Sequence, residues 1–283
     1  MFELKSVNID EAHSILLQET PPAVLAVYNE PFPISEEQKE TYHRTGYIKL
    51  SKVLSGEALN HARRVIGAAV LLRKESDKRN LAEKSQYEQS FLQCGYLCWD
   101  FPAVKEFVFA KRFAGIGRDL MTVKSVRLWH DQALYKEPSG RITDMHQDIS
   151  YWPIDTPDSI TMWMALVDVP VSRGCLYFVP GSHESGIDEY VDIFTNPHIP
   201  GKLKDSQQIN TPLLAGDATF HSGRTYHGAR ANQSEEMREA MTVIYIADGT
   251  TFTADDARNA THKSCAGLND GDIVDTKYTP KLI

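Results

Sequence analysis

The sequence has no excess of positive charge and no long apolar run. Its 283 residues contain 38 acidic and 30 basic side chains, a formal net charge of −8, whereas nucleic-acid binding depends on clustered Lys and Arg. The sequence contains no run of about 18 apolar residues, which is the length that a helix needs to span a bilayer. The N-terminus has no basic region followed by an apolar one, so no signal peptide is predicted. These features predict a cytoplasmic protein that binds neither nucleic acid nor membrane.

Cysteine is scarce, and several common catalytic motifs do not occur. Four scattered cysteines do not suggest a disulfide framework. Cys94 and Cys98 have no second pair of ligands, so we expect small core or surface residues and not a zinc site. Gly115-Ile116-Gly117 lacks the third glycine of a nucleotide-binding loop, and no Gly-x-Ser-x-Gly motif occurs. The chemistry must therefore come from other side chains.

The order of patterns along the chain predicts helices first and strands later. A capping box at Ser35 and Gln38 marks one helix start, and a second helix is expected after Ser55. Asp100 and Pro102 suggest the N-cap and first turn of a third helix. From about residue 123, short apolar or alternating runs bounded by Pro, Gly, Asp and Asn indicate strands. These runs are 126–135, 160–169, 175–180, 218–221 and 239–247.

We therefore predict a mainly β fold with flanking helices, a barrel or sandwich formed by the whole chain as a single domain. Residues 1–122 would supply an arm and supporting helices, 123–250 the β-rich body, and 251–283 a C-terminal extension. The proline-containing first 33 residues are expected to form an arm on the surface. Residues 73–90 are charged, which is typical of a solvated loop or helix face; a mobile lid is the alternative.

One constellation of side chains indicates metal chemistry. His146 and Asp148 are two residues apart, so on a strand they share a face. His221 and His227 follow much later, and Arg238 then opens an alternating strand. Two histidines and one carboxylate leave three positions of an octahedral metal open, as Fe(II) oxygenases require. An arginine can present a planar fork to a carboxylate, so the set would suit iron together with 2-oxoglutarate.

The segment 146–183, HQDISYWPIDTPDSITMWMALVDVPVSRGCLYFVPGSH, resembles the phytanoyl-CoA dioxygenase family. The resemblance continues through Gly216-Asp217, His227-Gly228, Asn232 and Arg238, and the early segment 36–55 also resembles the family start. In all it covers roughly 36–283. The resemblance implies a double-stranded β-helix (jelly roll, cupin-like). It also implies an Fe(II)- and 2-oxoglutarate-dependent dioxygenase that uses O2.

By this resemblance, His146, Asp148 and His227 bind Fe(II), and Arg238 binds the distal carboxylate of 2-oxoglutarate. The implied reaction hydroxylates, desaturates or cyclises a small organic substrate and yields succinate and CO2. The protein would supply ligands, placement and a dry pocket. Iron halogenases of this general fold replace the carboxylate ligand with a small residue, and Asp148 therefore argues against halogenation.

Gln132 and Trp163 match family positions that line the cosubstrate pocket. The family often has a hydroxyl residue two positions after the distal histidine. Here that position is Ala229, so one hydrogen bond to the cosubstrate is missing or is supplied by Thr242, which shares a strand face with Arg238.

Three further residues are candidates for contact with the substrate. Tyr151 and Trp152 follow the metal-binding turn and either fill the core or contact the substrate; His130 points into the pocket if it shares the face of Gln132. His221 competes with His227 as the third ligand, and the family pattern favours His227. His183 is expected to hydrogen-bond its own turn.

Two other classes of function stay open. One is a metal-dependent jelly-roll enzyme that does not use 2-oxoglutarate, for which Arg238 would have no carboxylate to bind. The other is a non-catalytic binding protein with a relic pocket, against which the intact ligand set argues. The identity of the substrate and the oligomeric state do not follow from the residues.

Overall fold

The computed structural model describes residues 7–154, 156–187, 203, 206–254 and 262–283. Within them lie the α-helices α1 (Ile9–Leu17), α2 (Pro22–Asn29), α3 (Glu36–Thr45), α4 (Gly56–Arg73), α5 (Gln86–Ser90), α6 (Leu97–Asp100), α7 (Pro102–Val108) and α8 (Lys111–Met121). The strands are β1 (Tyr47–Leu50), β2 (Leu92–Gly95), β3 (Val126–Tyr135), β4 (Thr143–His146), β5 (Ser159–Ala165), β6 (Leu176–Phe178), β7 (Ile209–Thr211), β8 (Ala218–Ser222), β9 (His227–Ala229) and β10 (Ala240–Ala247). No helix in these ranges is long and apolar enough to cross a membrane.

The strands form two antiparallel sheets that contact each other. The larger sheet has the order β1-β8-β5-β10-β3-β2, and the smaller has the order β4-β9-β6-β7. Phe178 on β6 stacks on Tyr47 of β1 with ring centroids 4.2 Å apart, and it lies 5.2 Å from His221 of β8. Helix α8 packs against β3, β5 and β10. The predicted β-rich body with flanking helices is confirmed.

The five predicted apolar runs correspond to β3, β5, β6, β8 and β10. The run predicted over 160–169 ends as a strand at Ala165, and Val169 instead pairs with Leu213 in an isolated bridge. The predicted start at Ser35 is confirmed: its Oγ accepts from the Gln38 backbone, and the Gln38 side chain accepts from the Ser35 backbone.

The prediction of one helix with Asp100 as its N-cap is wrong. Asp100 is the last residue of α6 and forms an ion pair with Arg73, and α7 begins after Phe101. The helix that includes Pro102 ends at Val108, and a separate helix, α8, begins at Lys111. Pro102 does occupy the first turn of α7, where a missing backbone N–H costs nothing.

Residues 9–29, expected to form a surface arm, instead form α1 and α2 and join the core. Ala12, Ile15, Val24 and Tyr28 are at most 5% exposed. Helix α1 contacts α4, and α2 contacts α4, α7 and α8. The prolines that suggested an irregular arm are compatible with a helix, because Pro22 is the first residue of α2.

The charged segment 73–90 contains a 3₁₀ turn, Leu81–Glu83, and the short helix α5. Many of its charges are paired: Arg79 contacts Asp77 and Glu88, and Lys84 lies 2.5 Å from Glu137. The last pair ties the segment to the β-rich body. A lid function stays a prediction.

Candidate active site

Three of the predicted ligand residues come together where β4 and β9 pair. His146, the last residue of β4, lies directly opposite His227, the first residue of β9. Asp148 follows β4 in a 3₁₀ turn. Its Oδ1 lies 3.6 Å from Nε2 of His146 and 3.7 Å from Nε2 of His227. The three potential ligand atoms lie within 4.8 Å of one another.

Backbone carbonyls orient both imidazoles. Nδ1 of His146 lies 2.9 Å from the carbonyl oxygen of Asp144, and Nδ1 of His227 lies 2.9 Å from that of Thr225. A carbonyl oxygen only accepts, so Nδ1 carries the proton and Nε2 presents a lone pair toward Asp148. Burial, with the nearby histidines, lowers the pKa of His227 to about 3, which keeps this ring neutral.

Asp148 supplies the negative charge of the cluster. Burial would raise the pKa of this carboxyl, but the surrounding histidines, led by His227, hold the pKa well below its usual range. Two neutral imidazole nitrogens and one carboxylate oxygen form the donor set of non-heme Fe(II) oxygenases. Among the residues that the structure describes, no second group of three His, Cys, Asp or Glu side chains comes close enough to hold a metal ion.

His221, the competing third ligand, contacts the other oxygen of Asp148. Its Nε2 lies 3.3 Å from Oδ2, and Thr161 Oγ1 donates to the same oxygen at 2.7 Å. These two contacts fix Oδ2 and leave Oδ1 facing the other two imidazoles. The geometry therefore favours His227 as a ligand and gives His221 the task of orienting Asp148.

Arg238 is a buried cation whose contacts do not neutralise its charge. It is 1% exposed. Nη1 donates to the Gly174 carbonyl at 3.0 Å and Nη2 to the Leu134 carbonyl at 3.3 Å, while the buried Nε has no partner among the residues that the structure describes. Its Cζ lies 5.3 Å from the centroid of the Trp163 ring. Burial lowers the pKa of Arg238 to about 9. Such a group is costly unless an anion joins it.

The other predicted cosubstrate residues lie side by side on adjacent strands. Thr242 of β10 pairs with Trp163 of β5 on one side and with Gln132 of β3 on the other. Thr242 Oγ1 donates to the Gln132 carbonyl at 3.0 Å, so its hydrogen is already used. The Gln132 side chain accepts from Gln93. These residues share the strand face of Arg238, because positions 238, 240 and 242 alternate with outward ones.

Of the three predicted substrate residues, Tyr151 ends the 3₁₀ turn that begins at Asp148, Trp152 follows it, and His130 lies on β3. The Tyr151 ring lies 5.9 Å from that of His146. Trp152 is 6% exposed and lies edge-on to His130 at 6.1 Å. Ile244 of β10 pairs with His130 on one side and with Thr161 on the other, and Thr161 donates to the Asp148 carboxylate. His130 therefore lies on the face predicted for it, and burial lowers its pKa to about 4.

Two further residues, Tyr96 and His262, lie beside His130, and no pattern in the sequence predicted them. Tyr96 Oη lies 2.7 Å from Nδ1 of His262 and 3.2 Å from Oγ of Ser264. The Tyr96 ring is 5.7 Å from His130, and His262 stacks on Trp129 at 4.8 Å. Neither residue belongs to a motif, and the two are far apart in the chain. Only the folded chain brings them together.

Asp131 explains how Tyr96 reaches this place. The buried Asp131 carboxylate accepts from the backbone N–H groups of Leu97, at 2.8 Å, and Cys98, and the Asp131 carbonyl accepts from the Tyr96 N–H at 2.9 Å. Tyr96 adopts a left-handed conformation with φ +58°, which costs a non-glycine residue about 1–2 kcal/mol. The Asp131 side chain, on the opposite face of β3 from that of His130, thus stabilises the turn that carries Tyr96.

The sequence is similar to proteins that are named as dioxygenases. A sequence model described as phytanoyl-CoA dioxygenase (PhyH) matches residues 42–240. A "Probable alpha-ketoglutarate-dependent hypophosphite dioxygenase" of Stutzerimonas stutzeri is 23% identical over 226 residues, 75% of this chain and 78% of that protein. A phytanoyl-CoA dioxygenase domain-containing protein 1 of Bos taurus is 29% identical over 133 residues, 43% of this chain and 46% of its own length.

A solved structure shares most of the fold. The chain resembles the non-heme alpha ketoglutarate dependent carbocyclase SnoK from nogalamycin biosynthesis with a TM-score of 0.74 and 26% identity. The superposition covers 89% of this chain and 99% of SnoK.

Proposed function

Since the chain belongs to the phytanoyl-CoA dioxygenase family and is a non-heme iron, 2-oxoglutarate-dependent dioxygenase, we propose that it oxidises a small organic molecule. The outcome would be hydroxylation, desaturation or ring closure. In hydroxylation, one oxygen atom of O2 enters the product and the other enters succinate, while the first carboxyl group of 2-oxoglutarate leaves as CO2.

In this proposal His146, Asp148 and His227 hold Fe(II), which when bound supplies the oxidising power of the reaction and the place where 2-oxoglutarate and O2 meet. The protein fixes the ligands beforehand. Backbone carbonyls set the imidazole tautomers, and Thr161 and His221 set the carboxylate rotamer. Such outer contacts tune affinity for the metal.

The single observation that carries the choice of 2-oxoglutarate is the unneutralised charge of Arg238. The distal carboxylate of 2-oxoglutarate would pair with the Arg238 guanidinium, next to Trp163 and near Gln132 and Thr242. An iron or zinc enzyme without this cosubstrate would leave a buried cation with no partner, which is energetically unfavourable.

The fold we propose is a double-stranded β-helix formed by a single domain. The two antiparallel sheets in contact, with the metal residues at the facing ends of β4 and β9, support it. In this proposal residues 1–122 would supply the supporting helices and the edge strands β1 and β2, 123–250 the rest of the jelly-roll body, and 251–283 an extension that carries His262.

For the substrate we propose a small or medium-sized molecule with apolar or aromatic parts. Tyr151, Trp152 and His130 would contact it, and Tyr96 and His262 add polar groups beside His130. The low pKa of His130 means a neutral imidazole, so it would hydrogen-bond a neutral oxygen or nitrogen and not attract an anion.

The test is anaerobic reconstitution with Fe(II). The protein should bind one metal ion per chain, and 2-oxoglutarate should then produce a metal-to-ligand charge-transfer band; with O2 and a substrate library, succinate should form. His146→Ala and His227→Ala should lose the metal, whereas the control His183→Ala should keep it, because His183 Nε2 bonds the His43 carbonyl at 2.9 Å instead. An unchanged spectrum and no succinate would exclude 2-oxoglutarate as cosubstrate.

A further inference from the structure

A second buried basic side chain, Lys136, lies directly beside Arg238. The two residues form an isolated antiparallel bridge through two backbone hydrogen bonds of 2.9 Å. Directly opposed residues of an antiparallel pair project their side chains to the same face. Lys136 is 0% exposed and Arg238 is 1% exposed. Two basic side chains therefore enter the protein interior together.

Both side chains reach the same glycine. Arg238 Nη1 donates to the Gly174 carbonyl, and a methyl group built on Gly174 would lie 3.1 Å from Lys136 Cδ. A methyl group on Gly140 would lie 2.7 Å from Lys136 Cγ. The two glycines thus leave the space that the lysine stem fills. From there Nζ donates to Thr143 Oγ1 at 3.4 Å.

The contacts of Lys136 are neutral. Nζ donates to the Arg141 carbonyl and to the Thr143 hydroxyl. The adjacent Glu137 pairs with another lysine. Within the described part of the chain, neither Lys136 nor Arg238 is in an ion pair with a carboxylate. Two buried basic side chains that no described carboxylate contacts indicate a binding site for an anion.

Thr143 connects this place to the metal residues. It lies opposite Ala229 in the ladder between β4 and β9, three residues before His146. The Lys136 side chain therefore extends from the bridge with Arg238 to the strands that carry the ligand residues.

We propose that Lys136 and Thr143 bind the distal carboxylate of 2-oxoglutarate together with Arg238, and that Lys136 takes up one proton when the cosubstrate binds. This inference rests on the proposed function. The step is the conversion of the Lys136 amine to an ammonium ion with a proton from the buffer. No bond in the cosubstrate changes.

The charges that face Lys136 give the pH dependence. Burial, followed by Arg238 and Arg141, lowers the pKa of Lys136 to about 6, and Asp144 opposes this shift. Lys136 is therefore mostly neutral above that pH in the cosubstrate-free protein. A bound carboxylate raises its pKa, so the affinity for 2-oxoglutarate should fall by up to about tenfold for each pH unit above 6.

The experiment is calorimetric titration of the anaerobic Fe(II) protein with 2-oxoglutarate in phosphate and in Tris at about pH 7.5, where the difference in heat counts the protons taken up. Wild type should take up close to one proton, and Lys136→Met close to none. Lys136→Met should also weaken binding by roughly 10- to 100-fold, since hydrogen bonds to charged groups contribute that much. Its melting temperature should stay the same or rise, because a buried amine is replaced by an apolar chain of similar volume.

The matched control is Lys84→Met, which removes another buried lysine, one that already pairs with Glu137. It should retain the proton uptake. Thr143→Val, which keeps the side-chain shape, should weaken binding by about 5-fold. A second control uses 2-oxobutyrate, which lacks the distal carboxylate and should bind without proton uptake.

The outcomes separate the two claims. Normal affinity for 2-oxoglutarate without proton uptake in wild type, or equal uptake in Lys136→Met, would overturn the role of Lys136 and leave the proposed function intact. Failure of the Fe(II) protein to bind 2-oxoglutarate would overturn the proposed function and this inference with it.

Discussion

Replacing Arg238 with alanine should weaken the binding of 2-oxoglutarate by at least about two orders of magnitude while Fe(II) still binds. The guanidinium is 1% exposed, so water screens its interaction with a carboxylate poorly. Its Nε has no partner among the described residues, and Nη1 and Nη2 each donate to one carbonyl. N–H donors therefore remain for a bidentate contact with a carboxylate.

The magnitude follows from this burial. Removing one partner of a buried charge pair typically costs on the order of 3–5 kcal/mol. At about 1.4 kcal/mol for each tenfold change, this is a loss of roughly a hundredfold to several thousandfold in affinity. Arg238→Lys should recover only part of the loss, because an ammonium group keeps the charge but not the planar fork.

The assay is anaerobic titration of the Fe(II) protein with 2-oxoglutarate, followed by the charge-transfer band. Arg230→Ala is a matched control, since Arg230 lies over the Tyr177 ring and bonds Asn210 on the surface, and it should bind the cosubstrate normally. Separate metal titration should give unchanged Fe(II) binding in Arg238→Ala. Unchanged affinity for 2-oxoglutarate in that variant would refute the assignment of Arg238.

His221→Ala should weaken Fe(II) binding by about 10- to 100-fold in a metal titration, because it orients a ligand, whereas His227→Ala should abolish it; the reverse order would make His221 the ligand. Tyr96→Phe should change turnover of the prime substrate in steady-state kinetics, with iron content and 2-oxoglutarate affinity unchanged, and equal loss of all three would mark Tyr96 as structural. Burial and the nearby His130 lower the pKa of His262 from 6.5 to about 2, so its contribution to stability is lost as the pH falls below 6.5, by up to about 1.4 kcal/mol per pH unit. Denaturant unfolding of the metal-free protein between about pH 4 and 7 gives the free energy of unfolding as a function of pH. Its slope should be smaller in His262→Gln than in wild type by an amount that corresponds to about one proton, and an identical slope would contradict this prediction.

Part of the candidate site could be predicted from strand geometry, as the alternation that starts at Arg238 shows. His146 and Asp148 were expected to share one face of a strand, but β4 ends at His146 and Asp148 lies in the following 3₁₀ turn, so this turn brings the carboxylate to the imidazole. The longer strands β3 and β10 could also be predicted, since eight to ten residues carry a readable pattern. The family resemblance then selected His227 from two candidates.

Other parts could not be predicted, for identifiable physical reasons. Strands β4 and β9 have four and three residues, too few for a periodic pattern. The burial of Lys136 could not be predicted, because it depends on space left by two glycines, the nearby Gly140 and the distant Gly174. Tyr96 depends on a left-handed turn that Asp131 stabilises from another strand. These are long-range contacts that no local pattern encodes.

The proposed cosubstrate residues lie on strands, whereas two of the proposed substrate residues lie outside them. The residues proposed for the cosubstrate, Gln132, Trp163 and Thr242, are fixed by the register of three neighbouring strands, so a change there would disturb the sheet as well. Tyr96 and His262 instead come from a turn and from the C-terminal segment. Segments outside regular strands tolerate substitution better than the strands they connect. Substitutions at those two positions should therefore alter which molecule is oxidised, whereas substitutions on the strands should alter whether 2-oxoglutarate is used at all.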